Sequence, residues 1–148
     1  MGATINIPKE LSKYFSEIDF IDYPLINIPQ KYQDNRGIIS NLADGKIGDI
    51  AIITSHNKTI RAGHYHKNDW HLCYLIDGEF EYQWSSINST GLRKLKVKPG
   101  ELIYTPNKVY HELIFKKDST FISISKLSRI SAAYEKDTVR ITNFLKIN

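Results

Sequence analysis

The spacing of apolar residues changes once along this chain. Leu11, Tyr14, Phe15 and Ile18 recur at three- and four-residue steps, the stripe of one short helix with Pro8 near its start. From Phe20 onward the apolar runs become short and strand-like. Strands are predicted over 23–28, 37–41, 48–54, 60–66, 71–76, 79–84, 92–98, 101–105, 109–116 and 120–126. Turn residues separate them at Asp34-Asn35-Arg36-Gly37, Asp44-Gly45, Asp77-Gly78, Asn88-Ser89-Thr90-Gly91 and Lys98-Pro99-Gly100. A helical piece over 131–136 and an edge strand at Val139-Arg140-Ile141 complete the pattern. Many short strands at regular spacing predict an all-β sandwich or barrel. The expected organisation is a helical extension over 1–20 and a single domain over 21–148, with the edge run 23–28 apolar enough to pair across a two-fold axis.

Strand alternation also sorts the side chains by face. If His64 and His66 point inward, Ala62 follows; if His71 does, so do Cys73 and Leu75. On the returning strand His111 shares a face with Val109, Leu113 and Phe115. Four of the five histidines thus belong to an apolar interior, which disfavours imidazolium and leaves rings able to bind a metal or accept a proton. His56, in Thr54-Ser55-His56-Asn57-Lys58, has turn composition and reads as a solvated loop residue.

The remaining composition narrows the class. The chain has 148 residues, 41% hydrophobic and 24% charged, as in a globular domain. No apolar run approaches the roughly 20 residues that span a membrane. The first eight residues lack the charged and apolar regions of a signal peptide, and the lone Cys73 has no internal disulfide partner; a cytoplasmic address is expected. Net charge is +4, with a mild cluster at Arg93-Lys94-Leu95-Lys96-Val97-Lys98 that reads as the wet face of a strand. Neither nucleic acid nor membrane is expected as a partner, whereas a modest positive field suits a phosphate-bearing substrate.

The histidines carry a resemblance. Gly63-His64-Tyr65-His66-Lys67-Asn68-Asp69-Trp70-His71, closed by Gly78, resembles the first cupin motif, with His71 where that family usually has Glu. Gly100-Glu101-Leu102-Ile103-Tyr104-Thr105-Pro106 followed by His111 resembles the second. The resemblance implies a double-stranded β-helix, the jelly-roll cupin, with His64, His66, His71 and His111 as candidate metal ligands. Ligand type alone does not choose among Zn²⁺, Fe²⁺, Ni²⁺ and Cu²⁺. No organic cofactor is expected.

A narrower resemblance lies in Asp34-Asn35-Arg36-Gly37 and Arg61-Ala62-Gly63-His64-Tyr65-His66-Lys67. These are similar to the D-x-R-G turn and R-G-x-H strand of the cupin branch holding dTDP-sugar 3,4-ketoisomerases and dTDP-4-dehydrorhamnose 3,5-epimerases. Ala62 stands where that branch has glycine. The likeness implies a nucleotide-linked 4-keto-6-deoxy sugar as substrate, in surface-polysaccharide synthesis. His64 and His66 become the proton-transfer candidates, His66 the first choice as base. Arg36 and Arg61 become contacts for diphosphate or sugar. Aromatic residues crowd both motifs; Trp70 and Tyr74 are candidates for stacking on the substrate, and Tyr104 and Tyr134 for the acid of a base/acid pair. Two other functions fit the same residues: a metal-dependent lyase or dioxygenase acting on a small acid, and a non-catalytic small-molecule-binding cupin. A homodimer is expected.

Overall fold

A computed structural model describes residues 5–89 and 91–141. Two antiparallel sheets face each other. The first takes β1 (Phe20–Asp22), β2 (Leu25–Ile26), β5 (Asp49–Ser55), β7 (His71–Asp77), β10 (Leu102–Thr105) and β12 (Ser119–Ser125), in the order β1-β2-β10-β7-β12-β5. The second takes β6 (Ile60–His66), β8 (Phe80–Ser86), β9 (Arg93–Val97), β11 (Val109–Phe115) and β13 (Thr138–Arg140), in the order β13-β6-β11-β8-β9. A separate hairpin pairs β3 (Gln30–Asp34) with β4 (Gly37–Asn41). One short helix, α1 (Ala132–Asp137), is capped by the Ser131 side chain, which accepts from the Ala133 N–H, and leads into β13. The all-β architecture follows the strand pattern.

The central strands of the first sheet, β10, β7 and β12, are covered on both faces, and this decides where the aromatics go. Between the sheets, Cys73, Leu75, Ile103, Phe121, Phe80, Tyr82 and Phe115 form the main core. The alternate residues of the same strands, Leu72, Leu102, Tyr104 and Ile124, point the other way and build a second core with Leu11, Tyr14, Phe15, Ile26, Ile28 and Trp70. The segment before β1 is therefore the cover of an otherwise open sheet face rather than an appendage. Full burial of Leu11 and Phe15 stabilises that cover by about 1.5–3 kcal/mol per side chain.

That segment is not the single helix its apolar stripe predicts. It makes two 3-10 turns, Lys9–Leu11 and Glu17–Asp19, with a break at Ser16, whose extended backbone donates its N–H to Asp19 Oδ2 at 2.8 Å. Leu11, Tyr14 and Phe15 are buried, whereas Ile18 is 91% exposed. Within 23–28 only Leu25 and Ile26 form strand, and they pair with β10 and β1 of their own sheet. Exposed apolar side chains lie elsewhere, at Ile50 and Ile52 on edge strand β5 and at Tyr32, Ile38 and Ile39 on the hairpin. Among the described residues no helix is long and apolar enough to cross a membrane.

Candidate active site

The four histidines of the two motifs come together between the sheets. β6 and β11 are neighbours, with His64 opposite His111. Ring centroids lie 4.6 Å apart for His64–His66, 4.9 Å for His64–His111 and 4.5 Å for His66–His71, the last pair stacked. Two sets of ligand atoms converge within 4.8 Å: His64, His66 and His111, and His66, Asp69 and His71. This cluster could hold a metal.

One irregularity in β6 sets its contents. Opposite Leu113 stands Arg61, and opposite His111 stands His64, so two steps on β11 match three on β6. The extra residue is accommodated by Ala62 and Gly63, both at positive φ (69° and 74°), a bulge of the kind glycine favours. Position 62, glycine in the resembling branch, is thus strained as alanine. The bulge brings Arg61 to the same cavity as the histidines, where plain alternation would have turned it away. Ala62 still packs against the main core and also reaches the cavity.

The cavity is about 220 Å³. His64, His71 and His111 line it, with Arg61, Arg129 and Tyr134 and the buried polar groups Tyr82, Thr105 and Ser123. Tyr82 and Thr105 share a hydroxyl hydrogen bond at 2.5 Å. Arg61 donates to Ser55 Oγ and, at 2.8 Å, to the Thr54 carbonyl; neither partner neutralises its charge. Arg129 donates to Ser123 Oγ at 3.0 Å, pairs with Asp49 at 3.3 Å and lies 5.5 Å from the centre of the Tyr134 ring. None of the described residues lining the cavity is acidic.

Hydrogen-bond partners fix the tautomers. His111 Nδ1 lies 3.1 Å from the Val109 carbonyl, which can only accept, so Nδ1 carries the proton and Nε2 the lone pair. Thr138 Oγ1 donates to the Tyr134 carbonyl and so accepts from His66 Nδ1 at 3.3 Å; Asp137 Oδ2 lies 3.7 Å from the same nitrogen. His66 Nε2 is left buried without a partner. Burial, reinforced by the other imidazoles, pushes His66 and His111 far below the ordinary histidine value. His64 is lowered to about 4, by burial first and then by the field of His71, Arg140 and Arg129. Burial raises the Tyr134 phenol, and Arg129 opposes the rise.

The structure separates the sequence-derived candidates. His64, His71, His111, Arg61 and Tyr134 share the cavity. His66 is fully buried behind them and does not line it. Tyr104 and Tyr74 belong to the outer core, because their strand positions alternate with the inward ones, and Trp70, just before β7, packs there with them; Tyr104 donates to the Asn6 carbonyl at 2.7 Å and Trp70 Nε1 to Glu10 at 3.1 Å. Arg36 sits on the exposed tip of the β3–β4 hairpin, paired with Asp34 at 2.6 Å. Sequence reading did not single out Arg129, Asp69 or Asp137. Arg129 lies in a loop with no periodic signal. Asp69, two residues before His71, is the one with a local clue.

Comparison with known proteins bears on the fold. No protein-family model matches the chain, and no curated protein matches it. Among solved structures, QdtA, a sugar 3,4-ketoisomerase from Thermoanaerobacterium thermosaccharolyticum in complex with TDP, matches at TM-score 0.61 and 17% identity, over 78% of this chain and 85% of that one. The dTDP-4-dehydrorhamnose 3,5-epimerase from Sulfolobus tokodaii matches at TM-score 0.63 and 12% identity, over 83% and 80%. The capsular polysaccharide assembling protein CapF from Staphylococcus aureus matches at TM-score 0.59 and 16% identity, over 82% of this chain; the chain spans about a third of its length, 32%. This chain shares its fold with the cupin-like ketoisomerases and epimerases of dTDP-sugars.

Proposed function

We propose that this chain is an isomerase or epimerase of a nucleotide-linked 4-keto-6-deoxy sugar, acting in the cytoplasm in surface-polysaccharide synthesis. The observation that carries this is the cavity itself: the imidazoles of His64 and His111, kept neutral by burial, converge with His71 and two arginines, with no acidic side chain among the described lining residues. At about 220 Å³ it lies below the roughly 300–1,000 Å³ of sites that enclose a drug-sized ligand. It suits one sugar ring, with the diphosphate held toward the more exposed Arg61, whose fork matches phosphate oxygens. The likeness to dTDP-sugar enzymes supports the same reading. His64 is the cavity-facing base. It removes the proton on the carbon next to the carbonyl and leaves an enediolate, to which proton return gives the new isomer. Its value of about 4 keeps it neutral at pH 7, and an arriving diphosphate offsets the arginine field that helps hold it there.

The test is deuterium incorporation from D₂O next to the carbonyl of dTDP-, UDP- and GDP-4-keto-6-deoxyhexoses. Exchange at one carbon of at least one sugar is expected. Tight binding without exchange supports a binding module, and neither binding nor exchange rejects the sugar reading.

One observation favours a second reading. The unpartnered, buried Nε2 of His66 converges with donors of His64 and His111, and the free lone pairs of His66 and His111 are of the kind a divalent transition ion takes. Such an ion would polarise a carbonyl, as a metal-dependent lyase requires, and a redox-active ion such as Fe²⁺ would supply the oxygen chemistry of a dioxygenase. Protein purified without chelator is then expected to carry about one ion per chain by elemental analysis. Metal-free protein that also takes up none on titration removes this reading.

A homodimer remains our expectation, with the exposed Ile50 and Ile52 of β5 as the surface that supports it. Light scattering at micromolar concentration should give twice the chain mass, and a monomer would refute it.

A further inference from the structure

Asp69 takes no part in the chemistry above, yet it is wholly buried and held from several sides. Its Oδ1 accepts the backbone N–H groups of Lys126 at 3.0 Å and Leu127 at 3.1 Å. Its own N–H donates to Asp137 Oδ2 at 2.9 Å. Its Oδ2 lies 3.0 Å from His71 Nε2. A carboxylate only accepts, so His71 carries its proton on Nε2 and keeps its lone pair on Nδ1. The stack against His66, 4.5 Å away at an interplanar angle of 15°, fixes the plane of the ring. His71 lines the cavity; Asp69 does not. The bond to Asp69 distinguishes His71 from the convergent trio of His64, His66 and His111.

Keto-sugar isomerisation moves two protons, and one imidazole accounts for only one of them. Once the C–H proton has left, the carbon skeleton is an enediolate with one hydroxyl and one oxyanion. To place the carbonyl on the neighbouring carbon, the hydroxyl must lose its proton and the former carbonyl oxygen must gain one. Epimerisation needs no such step, because its proton returns to the carbon it left.

On the keto-sugar reading, we infer that His71, held by Asp69, is the group that carries the oxygen-bound proton, and that the reaction is therefore an isomerisation. Nδ1 takes the hydroxyl proton, and the O–H electron pair becomes the π bond of the new carbonyl. The enediolate π pair takes the proton held by His64 at the former carbonyl carbon, while His71 gives its proton to the oxyanion on that carbon. The sum is one isomer converted to the other, with no oxidant or co-reactant. His71 is a catalytic residue in this step, and Asp69 is a positioning residue that fixes the tautomer and faces the transient imidazolium.

The experiment follows C–H exchange and isomer formation in parallel, on a 4-keto sugar that the wild type turns over. His71→Asn should keep exchange next to the carbonyl within about 10-fold of wild type, while isomer formation falls by about 10²–10⁴-fold. Asp69→Asn should lower kcat for isomer formation with KM little changed. It should also remove the hydrogen-bonded Nε2–H resonance of His71 from the ¹⁵N-histidine spectrum, a signature that a purely structural role would leave in place. If Asp69→Asn does not fold, His71→Asn decides alone. Isomer formation by His71→Asn within about 3-fold of wild type overturns the inference, as does equal loss of both readouts. A wild type that exchanges but never isomerises overturns it while leaving the sugar reading intact, and a wild type that exchanges with no keto-sugar rejects the sugar reading itself.

Discussion

Replacing His64 with Asn is expected to lower both deuterium exchange and isomer formation by about 10²–10⁴-fold, the usual contribution of a positioned base. Exchange reads this step directly, because it records the loss of the C–H proton whatever follows. His64 is the imidazole that combines cavity exposure, a neutral state set by burial, and a β6 backbone held opposite His111. Asn occupies similar space in this polar site, so the fold should survive and KM should change little. Arg61→Ala should do the reverse and raise KM more than it lowers kcat, because its guanidinium binds but moves no proton. Exchange by His64→Asn within about 3-fold of wild type would remove His64 as the base.

The second large effect is on stability in acid. Unfolded imidazoles titrate near 6.5. In the folded chain burial lowers His64 to about 4 and holds His66 and His111 far below their ordinary value. Below pH 6.5 the unfolded chain therefore binds protons that the folded chain refuses. Stability is complete above that pH and falls as the pH drops, and the His64 contribution is exhausted near pH 4. Each histidine contributes at most about 1.4 kcal/mol per pH unit in this window. The urea midpoint, measured with chelator present, should move steadily lower from pH 7 to pH 4.5, and His64→Asn should show a shallower fall. A midpoint flat over that range, or a variant as pH-sensitive as wild type, would show that the cluster is not held neutral by the fold.

Much of this arrangement can be read from residue order, for a simple reason. An H-x-H pair survives any error in strand ends, since two-residue alternation puts both rings on one face wherever the strand begins. The convergence of His64, His71 and His111 needed only that β6, β7 and β11 line the same interior. What misleads is two-sided burial. Leu102-Ile103-Tyr104-Thr105 is buried throughout and carries hydroxyls on both faces, at Tyr104 and Thr105, and nothing in that run says which face meets the cavity. Thr105 and Ile103 line it, so Tyr104 faces the outer core. The same division takes Trp70 and Tyr74 out of the cavity. Loops were harder still. Arg129 and the Asp69 carboxylate reach their places through chain reversals that carry no period, and their partners lie 80 and 58 positions away, at Asp49 and Leu127.

The left-handed pair Ala62-Gly63 makes the contents of the cavity a matter of parity. A strand in regular register counts in twos, and on that count Arg61 falls on the odd side, away from His64. One surplus residue changes odd to even upstream of the bulge and leaves His64 and His66 where they were. A β-branched side chain at position 63, poorly suited to positive φ, would press the strand back to regular counting and turn Arg61 off the inner face, leaving Ala62 there alone. Arg61 and His64, proposed to hold the anion and to move the carbon-bound proton, thus lie on one strand yet can be uncoupled, because a single backbone conformation decides whether they face the same way.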